Sequence, residues 1–245
     1  MNPEEYANLD RVEQSHWYYS GKRDLVRRWI DRVKPPVAGD TLLDCGAGTG
    51  RFALEMTGRC RVLVLDDHEE SLRMLRERFP ADCVLSLGND GNVPLHDESI
   101  DYLTALDVLE HTRDDVAVVK GFRRLLKPGG VAVVTVPACM SLWSDWDVGL
   151  HHFRRYDRAG LLALFPGENW DVVHVNYTNV VVFPAVWAMR RWRRWFPATG
   201  EGARAEDKVP PSPLNALLRW VFTGMAMIKM PFPFGVSLVL VARRR

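Results

Sequence analysis

TLLDCGAGTG, residues 41–50, decides how the rest of the chain is read. An apolar run ends in Asp44, and Gly46, Gly48 and Gly50 follow at every second position. The run Thr41 to Asp44 has the composition of a short buried strand. The glycines let the chain turn sharply and lie close against a ligand. RFALEM, residues 51–56, then opens a helix whose first amides point toward that ligand. The dinucleotide fingerprint G-x-G-x-x-G would need a third glycine at position 51, where Arg51 stands.

Working outward, RVLVLDD (residues 61–67) reads as a second strand ending in two acids. In a βαβ unit an acid there hydrogen-bonds ribose hydroxyls. Asp66 is the first choice; Asp67 either shares that role or N-caps the next helix, which places Leu72, Leu75 and Phe79 on one face. DYLTAL (residues 101–106) is a further strand, residues 114–126 a helix, and VAVVTVP (residues 131–137) a fifth strand after the turn Lys127-Pro128-Gly129-Gly130.

D-x-G-x-G-x-G from Asp44 resembles motif I of the class I S-adenosylmethionine (SAM) methyltransferases. GNDGNVPLHDESIDYLTALDVLEH (residues 88–111) and LLKPGG (residues 125–130) are similar to two further motifs of that family, in the same order. The likeness is strongest to bacterial small-molecule enzymes of the ubiquinone/menaquinone-methyltransferase type. It implies a seven-stranded α/β sheet of order 3-2-1-4-5-7-6 with an antiparallel last strand. It also implies SAM as cofactor and S-adenosylhomocysteine as product. On this resemblance Asp44 lies near the methionine ammonium, and the backbone of Gly46, Ala47, Gly48 and Gly50 follows the cofactor. Leu106, Asp107 and His111 line the methionine pocket. Aligned on Pro94, the adenine-contacting acid of the family falls on Asn89, with Asp90 where alanine is usual; either residue can take the adenine amino group. Trp17 and Arg23 match an N-terminal "hWyf…R" segment that closes over the cofactor; the alternative is a hydrophobic staple with a solvated arginine. In ubiquinone-biosynthesis relatives, acids and a histidine near Asp107, Glu110 and His111 can hold a divalent metal. The sequence shows no convergent ligand set, so none is assigned, and Glu110 and His111 are read as capping the following helix and lining the methionine pocket.

The chain has 245 residues, 47% hydrophobic and 26% charged, which suits one α/β domain with additions. A net charge of +1 argues against a nucleic-acid binder held by phosphate neutralisation. Cys45, Cys60, Cys83 and Cys139 are scattered, as reduced cysteines of a cytoplasmic protein would be. The acidic, polar N-terminus is no signal peptide, and no apolar run reaches the ~18 residues of a membrane span. Arginine outnumbers lysine, which fits a GC-rich bacterial genome.

Residues 1–38 are expected to form a helical flap, with Leu25, Val26, Trp29, Ile30 and Val33 on one helical face. The core spans 39–187, with an acceptor loop at 139–160. Residues 188–234 form a lid, and 235–245 the last strand. WDVVHVNYTNVVVFP (residues 170–184) is expected to be one long strand. The loop after strand five lies over the ligand crevice of an open α/β sheet. It carries His151, His152, Arg154, Arg155 and Tyr156. His151 or His152 is the expected general base, with Tyr156 or Arg154 as positioner; the alternative is that the histidines order the loop against Asp145 or Asp147. The lid run WAMRRWRRWF (residues 187–196) suits an anionic membrane surface, but the favoured expectation is aromatic rings packed on the sheet and solvated arginines. The resulting expectation is an O- or N-methyltransferase for a soluble small molecule, as in secondary metabolism. A lipid-linked acceptor, or a SAM-binding cyclase or binding module that transfers no methyl group, are the alternatives. The oligomeric state stays open.

Overall fold

The computed structural model describes residues 3–88, 91–195 and 209–245. Two helices, α1 (Pro3–Ser15) and α2 (Trp17–Val33), precede strand β1 (Thr41–Cys45). Then come α3 (Arg51–Met56), β2 (Arg61–Leu65), α4 (Glu69–Arg78), β3 (Val84–Leu85), β4 (Ile100–Leu106), α5 (Asp115–Leu125) and β5 (Leu126–Pro137). Two short helices, α6 (Asp145–Gly149) and α7 (Arg158–Ala163), lead to β6 (Trp170–Thr178). Helices α8 (Phe183–Trp195) and α9 (Ser212–Ala226) separate β6 from β7 (Ser237–Arg244).

The sheet order is β3-β2-β1-β4-β5-β7-β6. Strands β1 to β5 are parallel, and β7 runs antiparallel to both β5 and β6. This is the expected architecture. Strand alternation sends neighbours to opposite faces. Leu42, Val62, Tyr102 and Val133 meet Trp29 and Ile30 of α2, Phe52 of α3 and Phe222 of α9, while Leu43, Leu63, Leu103 and Val134 meet Phe122 of α5 and Leu161 of α7. Both faces are covered, so the strands read as continuous apolar runs.

Caps stop the helices where the sequence places polar residues. Asp114 accepts from Ala117 N–H at 2.9 Å and Asp157 from Gly160 N–H at 2.7 Å. Two local expectations change. Strand β6 ends at Thr178, because Asn179 adopts a left-handed φ of 58° and the chain turns into α8; the apolar run VVVFP belongs to that turn and helix. The Lys127–Gly130 turn is incorporated into β5. The expected N-terminal helical flap begins with α1, which packs against α2, α3 and α4.

Candidate active site

The C-terminal ends of β1, β4 and β5 open into a cleft of about 1390 Å³ that helices α1, α2, α6 and α8 roof over. The glycine turn forms its floor. Gly46 and Gly48 hold φ of 65° and 57°, a region costly for residues with a Cβ. A Cβ on Gly46 would stand 2.6 Å from Val108 Cγ2, so only glycine fits there. At Gly48 the same atom would meet nothing within 4 Å, which leaves open space of the cleft directly above the backbone. Ala47 lines the cleft as well. Gly50 serves packing instead: a Cβ there would stand 2.8 Å from Leu75 Cδ2 and from Phe79 Cε2, and it is not among the cleft residues.

The acids gather beneath this turn. Asp44 is buried and accepts from Thr104 Oγ1 at 2.6 Å. Burial, with the charges of Asp66 and Glu13 nearby, pushes its carboxyl up to about 7. Asp66 accepts from the N–H groups of Gly48, Asp67 and His68, each at 2.9 Å. It thereby fixes the loop, while Asp67 is exposed and His68 occupies the N-cap of α4. Neither Asp66 nor Asp67 lines the cleft wall. Glu13 of α1 accepts from Thr49 Oγ1, and burial raises its carboxyl. Asn89 and Asp90 lie outside the described residues.

Helix α2 supplies a cation. Lys22 donates to Asp107 Oδ2 at 2.6 Å, and its ammonium sits 5.0 Å from the Tyr18 ring centroid. Burial disfavours both charges, but the pairing wins: Lys22 is raised and Asp107 lowered from their ordinary values. Arg23 lines the cleft too, but its guanidinium is held by Glu55 at 2.7 Å and by the Glu13 carbonyl at 2.8 Å. Trp17 stands in the wall with its ring against Phe222 of the lid. Leu106, Asp107 and His111 line the opposite side.

The acceptor loop centres on Asp147, which is fully buried on α6. Its Oδ1 accepts from Arg155 Nε at 2.7 Å and lies 3.0 Å from His152 Nδ1. Its Oδ2 accepts from the Ser144 amide at 2.9 Å and lies 3.6 Å from Arg190 of α8. Burial opposes ionisation, but the His152 bond and the Arg155 charge hold the carboxyl down to about 2. An ionised carboxylate only accepts, so His152 carries its proton on Nδ1 and leaves Nε2 as the basic atom. His152 lines the cleft beside His111, ring centroids 4.7 Å apart. Burial, then the neighbouring His152, lowers His111.

The other loop candidates go elsewhere. His151 is exposed, with φ of 58°, and is absent from the cleft wall. Arg154 bonds Asp115 at 2.9 Å and the carbonyls of Thr112 and Arg113. Tyr156 is buried with its hydroxyl 2.7 Å from the same Asp115. Those two residues line a separate small cavity, because the backbone there bridges to Ala138 and turns their side chains toward α5. They therefore cannot position a molecule in the cleft.

Glu110 is fully buried, and neither carboxylate oxygen has a partner. Burial and then Asp107 push it well above its usual range. One ligand atom each of Glu110, His111 and His152 falls within 4.8 Å of the others, the spacing a divalent cation needs. Asp107, which the resemblance to ubiquinone-biosynthesis enzymes would place in such a set, is instead committed to Lys22.

Residues 43–134 match the family model of a methyltransferase domain. A probable S-adenosylmethionine-dependent methyltransferase of Mycolicibacterium smegmatis is 29% identical over 165 residues, 66% of this chain and 62% of that one. The chain carries a class I SAM-dependent methyltransferase domain. A ubiquinone biosynthesis O-methyltransferase of Thiobacillus denitrificans is 34% identical over 112 residues, 43% of this chain and 47% of that one. The chain thus spans 62% and 47% of the lengths of these two relatives. A SAM-dependent methyltransferase from Thermotoga maritima shares the fold at a TM-score of 0.58 and 18% identity, covering 99% of this chain and 96% of that one.

SAM is the cofactor of this methyltransferase domain, and the cleft fits it. SAM carries a sulfonium and an ammonium, and the pole beneath the glycine turn holds Asp44, Asp66 and Glu13, with Asp44 pushed toward protonation by burial and then by these neighbours. Sequence reading missed three contributors, Glu13, Lys22 and Arg190, and named Asp147 only as an alternative partner of the loop histidines. Tyr6 and Val12, both buried, mark α1 as a packed helix and were the available signal for Glu13.

Proposed function

We propose that the chain transfers the methyl group of SAM to an oxygen or nitrogen of a small-molecule acceptor, with His152 as general base. The observation that carries this reading is His152, held from behind by the buried Asp147, lining the same cleft as the glycine turn. Asp44, Lys22, Trp17 and the Gly46–Gly48 backbone hold the cofactor, and Asp66 fixes the turn through the Gly48 amide. Bound SAM supplies an electrophilic methyl group on sulfur. His152 Nε2 takes the acceptor proton as the new bond forms, and Asp147 stabilises the imidazolium that results. Trp143, Trp146, Val182 and Val186 give the acceptor an apolar wall that keeps water from the reacting atoms. Arg190 joins lid to loop by donating to the Leu142 carbonyl at 2.6 Å, so a closed lid and an aligned base coincide.

The test is S-adenosylhomocysteine formation from SAM and small-molecule fractions of the native host, followed by mass spectrometry. His152→Ala should slow the active fraction about a hundredfold, with SAM affinity unchanged in calorimetry. A wild-type protein that binds SAM yet forms no S-adenosylhomocysteine with any fraction would defeat the proposal.

A further inference from the structure

The lid exposes the residues that ordinarily hide. Trp192 and Trp195 of α8 are 65% and 79% exposed, and Trp220 of α9 is 74% exposed. On α9 the outward positions 214, 217 and 220 are Leu, Leu and Trp, followed by exposed Ile228 and Met230. That stripe faces away from Phe222 and Ala226, which pack on α2. Helix α9 is therefore apolar on both sides, unlike a helix whose outer face meets only water. The expectation of aromatics packed on the sheet is overturned here, as is that of solvated arginines for Arg190, which is buried. Helix α8 divides by face: Val186, Arg190 and Arg193 turn to the cleft, while Arg191, Trp192 and Trp195 turn outward.

Charge separates the same region from the rest of the protein. Residues 183–234 hold eight basic and three acidic residues, net +5, on a chain whose total is +1; the remainder is thus −4. The three acids, Glu201, Glu206 and Asp207, all fall in the segment between α8 and α9, so the two helices and the 227–234 segment carry basic charge alone. Exposed tryptophan beside arginine, with no acid on either helix, matches the headgroup layer of an anionic bilayer, where indole rings sit at the interface and guanidinium meets phosphate. Among the described residues no helix is long and apolar enough to cross a membrane, so the contact is a surface one.

We propose that the lid docks the protein on anionic lipid bilayers through Trp192 and Trp195 of α8 and the Leu214–Leu217–Trp220 face of α9. The contact does not depend on methyl transfer, and its test does not read activity. The full chain is sedimented with vesicles of phosphatidylcholine alone and of phosphatidylcholine mixed with phosphatidylglycerol, at low and high salt. Pelleting with the mixed vesicles, weakened by salt and accompanied by a blue shift of tryptophan emission, is expected. Arg191→Glu should weaken the apparent affinity about fivefold or more, since one basic residue near such a surface is worth about that factor. Trp195→Ala and Trp220→Ala, both at exposed positions and checked by circular dichroism, should each weaken it as well. Absence from the mixed-vesicle pellet at low salt overturns the proposal. So does equal binding to neutral and mixed vesicles. If light scattering shows a dimer that Trp195→Ala or Trp220→Ala converts to monomer, with no vesicle binding by either form, the face belongs to a second copy and the proposal is likewise overturned.

Discussion

Asp147→Asn removes one charge from the most heavily used carboxylate in the structure. Asp147 is completely buried and serves Arg155, Arg190, His152 and the Ser144 amide together. Asparagine keeps the volume and can still accept from Ser144. It leaves the buried guanidinium groups of Arg155 and Arg190 facing a neutral amide where each now meets a carboxylate. Removing one partner of a buried ion pair costs ~3–5 kcal/mol. For a chain of this length each kcal/mol moves the melting temperature by ~2–4 °C, so a fall of roughly 6–20 °C is expected. Activity should fall further than stability explains at 25 °C, because the amide no longer selects the Nδ1–H tautomer of His152. Thermal melts of the wild type and variant, with SAM affinity by calorimetry, separate the two effects. A variant that melts within 2 °C of wild type (about one step of that scale) would show that Asp147 does not hold the lid and loop together. The pH dependence is a second check. The folded carboxyl of Asp147 lies at about 2, below the 3.8 of an ordinary aspartate, so its stabilisation is present above 3.8 and is lost as pH falls toward 2.

Other perturbations address the cofactor pole and the loop. Asp44, raised to about 7, must ionise to receive a cationic ligand, so SAM affinity should climb up to about tenfold per pH unit below 7 and level off above it; calorimetry from pH 6 to 8 that shows a flat profile contradicts this role. The same raised carboxyl favours the folded, unliganded protein at low pH, and that contribution fades as pH rises from 3.8 to about 7. Gly46→Ala should abolish detectable SAM binding, since its methyl would collide with Val108 at a left-handed φ; a normal isotherm would mean that the loop rearranges freely. Asp66→Ala strands three amide N–H groups and should weaken SAM binding by ~1–3 kcal/mol, with unchanged affinity counting against it. His151→Ala, at an exposed position off the cleft wall, should leave the methylation rate untouched; a large loss would move the base from His152 to its neighbour.

The positions of the core strands and of the glycine turn were legible in the sequence, while the order of the strands was implied by the family resemblance. The first two rest on local chemistry: a run of apolar residues buried on both faces and a φ that only glycine adopts easily. Asp44 and Gly46 to Gly48 are neighbours on one strand and its turn, so their meeting at the cleft floor was legible as well. What α1 contributes was hidden, since its polar composition obscured the two residues, Tyr6 and Val12, that bury it. The acceptor loop was decided elsewhere. His151 and His152 are adjacent and chemically alike, yet a left-handed φ at His151 sends one to solvent while Asp147 draws the other to the cleft. Asp147 holds that position because Arg155 and Arg190 converge on it, the second from a helix that follows strand β6. Such a choice depends on which charges meet in a buried space, and the meeting is set by packing between segments far apart along the chain rather than by any spacing within one of them.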